Sequence, residues 1–245
     1  MVPYKITIEY DGSEFFGFQR QNNFRTVQDE IEKALKALGW GDKSILFAGR
    51  TDSGVHAEEQ VVAFSLNWQH DSLQLMKAIN DHLPSDVSVL QISECYDGFH
   101  PRFDAKERYY RYQIYVNETR RPLFDRYYWR IWPAPHRDII EEASREFVGQ
   151  HDFQKLGCKV PDDNLDIMRT VSSIDWLYKE DNKILFFIRA QSFLYHMVRR
   201  IVFILIKAGQ NKIQLSEIQK GDLGFSELPA GIAPARGLFL EKVIY

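Results

Sequence analysis

In the stretch SILFAGRTDSGVHAEEQVVAFSL, residues 44–66, two strand patterns flank a loop of small and polar residues. The apolar-rich runs at 44–49 and 59–66 predict β-strands. The arginine, aspartate and glycines between them are not typical of a core segment. The stretch therefore raises the question of what Asp52 does there, with Arg50 two residues before it.

The sequence around this stretch predicts the order β-α-β-β-α-β for the first half of the chain. Alternating apolar residues predict a strand at 5–10, and another strand is predicted at 87–96. Helical spacing of apolar residues predicts helices at 26–39 and 72–84, the first capped by Thr26.

The second half repeats this order without any similarity of sequence. A strand, a helix, two hairpin strands, a helix and a final strand are predicted at 108–117, 137–149, 169–180, 182–191, 193–208 and 237–245. We therefore predict an α+β fold of two ferredoxin-like βαββαβ halves, whose antiparallel sheets flank a central cleft. The expected domains are residues 1–105 and 106–245, so a site in the cleft would draw residues from both.

The composition narrows the class of protein. A hydrophobic fraction of 44% in 245 residues supports a sizeable core. Cys95 and Cys158 stand far apart, which indicates neither a disulfide framework nor a zinc site. The most apolar run, 193–209, carries charges and is short for a bilayer span, so we expect no membrane segment. With no apolar signal segment near its start, we expect a cytoplasmic protein.

The charge is unevenly distributed. A net charge of −3 argues against a generic nucleic-acid binder. Residues 99–137, however, hold nine lysines and arginines against four acidic residues, with aromatic residues interleaved. Such a surface suits an RNA partner, and a solvated amphipathic strand pair explains it equally well.

Several motifs are spread along the chain, and the main ones are GRTDSGVHA (49–57), YDGSEFFGFQRQ (10–21), RYYRYQIY (108–115), SFLYHMVRRIV (192–202) and APARGLFLEKVIY (233–245). Together they resemble the TruA-type tRNA pseudouridine synthases over almost the whole chain. The resemblance implies an isomerase that converts uridine to pseudouridine in the tRNA anticodon stem-loop, at positions 38, 39 and 40. It also implies a homodimer, and no cofactor or metal, since the C1′–N1 bond is exchanged for a C1′–C5 bond without redox change.

The resemblance assigns Asp52 as the catalytic residue. An ionised carboxylate at the sugar–base junction can add to the uracil ring, attack C1′ or abstract a sugar proton, and the sequence leaves all three open. An aspartate that only caps a turn is the alternative. Arg50 is implied to help extrude the target base, because arginine can stack on bases and bind phosphate.

Three residues of the second half complete the implied site. Tyr110 lies against the uracil ring in the resemblance, although neighbouring strand tyrosines are rivals. Arg199 pairs with the catalytic carboxylate, and its neighbour Arg200 is expected to reach solvent. Leu238 packs near the uracil or is plain core.

Two further features carry no assigned chemistry. His56 is expected to be structural or to face RNA, because nothing in the reaction demands an imidazole. The stretch 151–166 departs most from the family pattern, and no residue there is given a role.

Two other functions fit parts of the pattern. A non-catalytic RNA-binding module would use the same basic surface but would not need Asp52. A carboxylate-dependent hydrolase such as a glycosidase would need a second acid, and no comparable motif supplies one.

Overall fold

The protein is a mixed α+β molecule, as predicted. A computed structural model describes residues 1–156, 167–220 and 227–245, and in this part it shows ten β-strands and six α-helices. The chain divides into two compact units, Met1–Lys106 with Phe239–Tyr245, and Glu107–Leu238. No helix within the described ranges is long and apolar enough to cross a bilayer.

The first unit follows the predicted strand and helix order. Its elements are β1 (Val2–Tyr10), α1 (Val27–Ala37), β2 (Leu46–Phe47), β3 (His56–Leu66), α2 (Ser72–His82), β4 (Val87–Glu94) and β10 (Leu238–Ile244). The strand β1 pairs antiparallel with both β3 and β4. The other edge of β3 pairs with β2 and, in parallel, with β10. The final strand of the chain therefore pairs with a strand that lies far from it in sequence.

Local chemistry explains where the first helix and the second strand begin and end. The Thr26 hydroxyl caps α1 by accepting a hydrogen bond from the Asp29 N–H, as predicted. One face of α1 buries Ile31 and Leu35. The predicted strand 44–49 shrinks to two residues, in part because the Ile45 N–H donates to a Glu32 carboxylate oxygen at 3.2 Å instead of to a strand.

The second unit holds a sheet with helices and several short elements that were not predicted. Its elements are β5 (Glu107–Val116), α3 (Pro122–Asp125), β6 (Trp129–Ile131), α4 (Arg137–Arg145), β7 (Gly149–Asp152), β8 (Met168–Tyr178), β9 (Lys183–Ala190), α5 (Met197–Gly209) and α6 (Leu215–Ile218). The strands lie in the order β6-β5-β9-β8-β7, antiparallel except for β5 with β6. The helices α4 and α5 pack against each other.

Two predicted helices are shorter than expected. The helix predicted at 193–208 begins only at Met197, because His196 has a left-handed φ of 63° that cannot extend the helix backwards. The helix predicted at 137–149 ends at Arg145, and Gly149, with φ of 103°, begins β7 instead. Of the divergent stretch 151–166, residues 157–166 lie outside the described residues.

Candidate functional site

The loop that carries Asp52 joins β2 to β3 and is held by backbone hydrogen bonds. The Phe18 N–H donates to the Thr51 carbonyl at 3.1 Å, and the Gly54 N–H donates to the Phe15 carbonyl at 3.2 Å. These bonds flank Asp52 on both sides along the chain. The position of its Cα is therefore fixed by the segment that follows β1.

Two glycines allow that segment to approach the loop so closely. A Cβ at Gly12 would lie 1.9 Å from the carbonyl oxygen of Val55, where no atom fits. At Gly17 a Cβ would lie 2.8 Å from the carbonyl oxygen of Thr51, and its φ of 91° also disfavours any other residue. Both positions therefore require glycine for the loop to keep this conformation.

Hydrogen bonds and ring stacking connect the loop to buried residues of the first unit. The Tyr10 and Thr51 hydroxyls lie 2.8 Å apart in a buried hydrogen bond. His56 is buried, accepts a hydrogen bond from the Gly12 N–H at 3.0 Å, and stacks on Phe239 with ring centroids 4.5 Å apart. Of the two roles expected for His56, this environment favours the structural one.

Two charged side chains project from this fixed backbone. Asp52 is half-buried and Arg50 is exposed to solvent. A partly shielded carboxylate on a rigid loop suits chemistry at a defined atom, and an exposed guanidinium suits contact with a large polar partner. Asp52 and Arg50 therefore lie on the same loop, as their positions in the sequence indicated.

The second unit presents its predicted residues on β5 and α5. Tyr110 is 8% exposed and meets Phe193 edge-on, with ring centroids 5.1 Å apart. Its neighbour Tyr109 points to the opposite face of the strand, under the guanidinium of Arg189 at 4.7 Å. A shift of one residue in the motif would therefore move the tyrosine to the other face of the sheet.

Arg199 lies in the first turn of α5 and is half-buried. Its Nε donates to the Ala233 carbonyl at 2.8 Å, and the Ala233 N–H donates back to the Arg199 carbonyl at 3.0 Å. This reciprocal pair joins the start of the helix to the segment 228–238, which leads into β10.

Arg200 does not reach solvent, and that prediction is wrong. The side chain is 6% exposed, and its guanidinium donates to the backbone carbonyls of Leu156, Leu228, Pro229 and Gly231. A buried guanidinium carries five N–H donors that must find acceptors, and the surrounding carbonyls supply them. Arg200 is therefore an internal anchor for the segment 228–238.

Tyr112 holds the other end of the segment 228–238. Its hydroxyl donates to the Pro234 carbonyl at 2.6 Å, and its ring faces Gly237, where a Cβ would lie 2.7 Å from the ring. Burial raises the pKa of the Tyr112 phenol, and the nearby Arg199 guanidinium opposes that rise. The segment ends at Leu238, which is buried at the start of β10.

The sequence named Asp52 but did not predict the residues that position it and the segment 228–238. Asp11-Gly12 was expected to form the turn that ends the first strand, but neither Gly12 nor Gly17 was expected to contact the Asp52 loop, and the signal that could have indicated it is two glycines in the short segment after that strand. Arg200 and Tyr112 carried no signal, because their acceptors lie far away in sequence.

Two further features of the described residues concern metal binding and the cysteine thiols. Within residues 1–156, 167–220 and 227–245, no three His, Cys, Asp or Glu side chains group together so as to hold a metal ion. Burial raises the pKa of the Cys95 thiol, so this side chain stays protonated near neutral pH. Cys158 lies outside the described residues.

Comparison with known proteins gives a consistent result. A family model described as tRNA pseudouridine synthase matches residues 6–104 and 143–245. The proteins named tRNA pseudouridine synthase A from Bacillus licheniformis and Dictyoglomus thermophilum are 40% and 37% identical, over 98% and 100% of both chains. The same-named protein from a Thermotoga species is 36% identical over 97% of both chains. A solved archaeal box H/ACA ribonucleoprotein complex gives a TM-score of 0.41 at 11% identity, over 83% of this chain and 44% of that chain.

Proposed function

Because this chain belongs to the tRNA pseudouridine synthase family, we propose that it isomerises uridine to pseudouridine in tRNA, with Asp52 as the catalytic residue. The observation that carries the proposal is the glycine-lined contact that fixes the Asp52 loop. Preorganised polar groups catalyse better than mobile ones, because no reorganisation is needed when the bond breaks. A loop held this firmly suits a group that acts on one atom.

The reaction breaks the C1′–N1 glycosidic bond and makes a C1′–C5 bond in the same nucleotide. Asp52 is half-buried, so its carboxylate is partly shielded from water, as a nucleophile or proton acceptor requires. Addition to the ring, attack at C1′ and abstraction of a sugar proton all stay compatible with this placement. No atom enters or leaves, so the proposed reaction needs no co-substrate.

The remaining site residues are proposed to hold the RNA. The exposed guanidinium of Arg50 is suited to fill the space left by the extruded uridine and to bind phosphate. Tyr110 would lie against the uracil ring, with Leu238 beside it. Arg199 would pair with the Asp52 carboxylate.

The finer features of the function belong to the same proposal. We infer that the substrate is the anticodon stem-loop at positions 38, 39 and 40, that the protein acts as a cytoplasmic homodimer, and that its domains, 1–105 and 106–245, are ferredoxin-like halves. The strand order β4-β1-β3-β2 in the first unit supports the last inference.

The test is formation of pseudouridine in an unmodified tRNA transcript by the purified protein. Asp52→Asn is expected to abolish product while keeping most of the affinity for tRNA, because phosphate contacts supply most of the binding. The matched control is Asp42→Asn, which removes the same charge from an exposed loop residue. If the wild-type protein binds tRNA without making pseudouridine, the proposed activity is wrong and the protein is a non-catalytic RNA-binding module. Product from pure Asp52→Asn would remove Asp52 from the catalytic role.

A second experiment addresses Arg199. Arg199→Ala is expected to slow the single-turnover rate much more than it weakens tRNA binding, and Arg199→Lys should restore only part of the rate, since an ammonium lacks the bidentate fork. Equal loss of rate and affinity in Arg199→Ala would instead assign this side chain to RNA binding.

A further inference from the structure

An exposed aromatic pair lies in the loop between β1 and α1. Phe16 and Phe24 are 49% and 47% exposed, and their ring centroids are 4.6 Å apart. Large apolar side chains that stay together in solvent usually mark a surface that binds something.

The loop holds the two rings in place. The Phe16 N–H donates to the Arg25 carbonyl at 2.9 Å, and the Gln21 side-chain amide donates to the Phe16 carbonyl at 2.6 Å. An isolated antiparallel bridge joins Gln21 to Phe24 and closes the tip. The backbone that carries the rings is therefore ordered before any partner arrives, which lowers the entropy that binding must offset.

The arginines of this loop are engaged with the protein itself. Arg20 forms an ion pair with the buried Glu32, and Arg25 binds both carboxylate oxygens of Asp86, at 2.7 and 2.9 Å. They anchor the ends of the loop. The loop presents to solvent the two rings and polar amides such as that of Asn22, together with Glu14 and part of the Arg20 side chain.

The pair lies directly beside the proposed catalytic loop. Gly17 follows Phe16, and a Cβ at Gly17 would lie 2.8 Å from the Thr51 carbonyl oxygen and 3.4 Å from the carbonyl carbon of Asp52. A nucleotide next to one whose reacting atom meets Asp52 is therefore within reach of this pair.

We propose that Phe16 and Phe24 form a stacking surface for an unpaired tRNA base next to the extruded uridine. The inference rests on the proposed function and adds a binding subsite to it. Extrusion of a nucleotide deprives its neighbour of a stacking partner, and an aromatic face can replace that partner. Aromatic rings with amides around them suit a base, which offers a π-face and polar edges.

The test compares Phe24→Ala, Phe24→Leu and Phe24→Trp, with Phe16→Ala as a second probe and Leu73→Ala as a matched loss of an exposed apolar side chain on α2. Binding of an unmodified tRNA transcript and the single-turnover rate are measured for each. Both Phe→Ala variants should lose roughly tenfold or more in affinity or rate. Trp should retain the wild-type values, Leu should not, and Leu73→Ala should behave as wild type.

The outcomes separate this inference from the proposed function. Wild-type protein that makes no pseudouridine defeats the proposed function, whereas active wild type with Phe24→Ala and Phe16→Ala within about twofold of it defeats only the stacking surface. Leu performing as well as Trp would mean that the pair acts through apolar packing, which also overturns the proposal. So would a change of oligomeric state in the Phe→Ala variants, measured by sedimentation, because the pair would then contact a second copy of the chain. Melting temperatures confirm that each variant is folded.

Discussion

The Asp52 loop in the first unit and the segment 228–238 in the second are both irregular backbone, yet they are held in opposite ways. Backbone contacts at Gly12 and Gly17 fix the first, where side chains are absent because no atom would fit. Long buried side chains fix the second, above all the guanidinium of Arg200. The Asp52 loop thus depends on the absence of side chains at two glycines, and the segment 228–238 depends on buried side chains such as that of Arg200.

This difference predicts which substitutions each region tolerates. A loop fixed by close backbone approach should fail when any side chain is added. A segment fixed by donated hydrogen bonds should fail when a donor is removed, because buried carbonyl oxygens then lack partners. Substitutions in the two regions therefore distinguish the two ways in which they are held.

Arg200→Met should lower the free energy of unfolding by about 3–5 kcal/mol, because it removes a buried charged donor from several carbonyls at once. Denaturation in urea measures the change. Arg199→Met is the control on the same helix turn, where the side chain is only half-buried, and it should cost less. If the two variants were equally stable, Arg200 would not be the anchor of the segment 228–238.

Gly17→Ala and Gly39→Ala form a matched pair, since both glycines have a φ of 91° and only Gly17 has atoms within 4 Å of an added Cβ. Gly39→Ala should lose roughly 1–2 kcal/mol of stability from backbone strain and keep its activity. Gly17→Ala should also displace the Asp52 loop and lower the single-turnover rate about 100-fold. Equal activities of the two folded variants would show that the close contact does not position Asp52.

Tyr112→Phe removes only the hydroxyl that donates to the Pro234 carbonyl, and should cost about 1 kcal/mol in the free energy of unfolding. Tyr96→Phe is the control, because it removes a hydroxyl hydrogen bond to Asp104 from an exposed ring and should change stability by less than about 0.5 kcal/mol. A larger loss in Tyr96→Phe than in Tyr112→Phe would contradict the ranking.

The two regions also differed in how far the sequence could describe them. The family resemblance is confirmed, and the motif around Asp52 was recognisable because its residues are contiguous. The strands on both sides of the loop are also recognisable, because their apolar residues form a pattern within a few neighbouring positions of the sequence. Arg200 was expected in solvent because helical periodicity cannot say what lies against a given face. Its acceptors at 228–231 are about thirty residues away in sequence.

The amino-acid sequence was sufficient to predict the α+β class, the strand and helix order of the first unit, and the loop that carries Asp52. Side-chain spacing, helix caps and turn residues express these features within a few neighbouring residues. The pairing of β10 with β3, the contact of Gly12 and Gly17 with the Asp52 loop, and the burial of Arg200 became known only from the folded structure. Each of these features depends on which distant segments of the chain lie next to one another. Hydrogen-bond donors find such distant acceptors, and excluded volume restricts such distant residues, only in the folded chain.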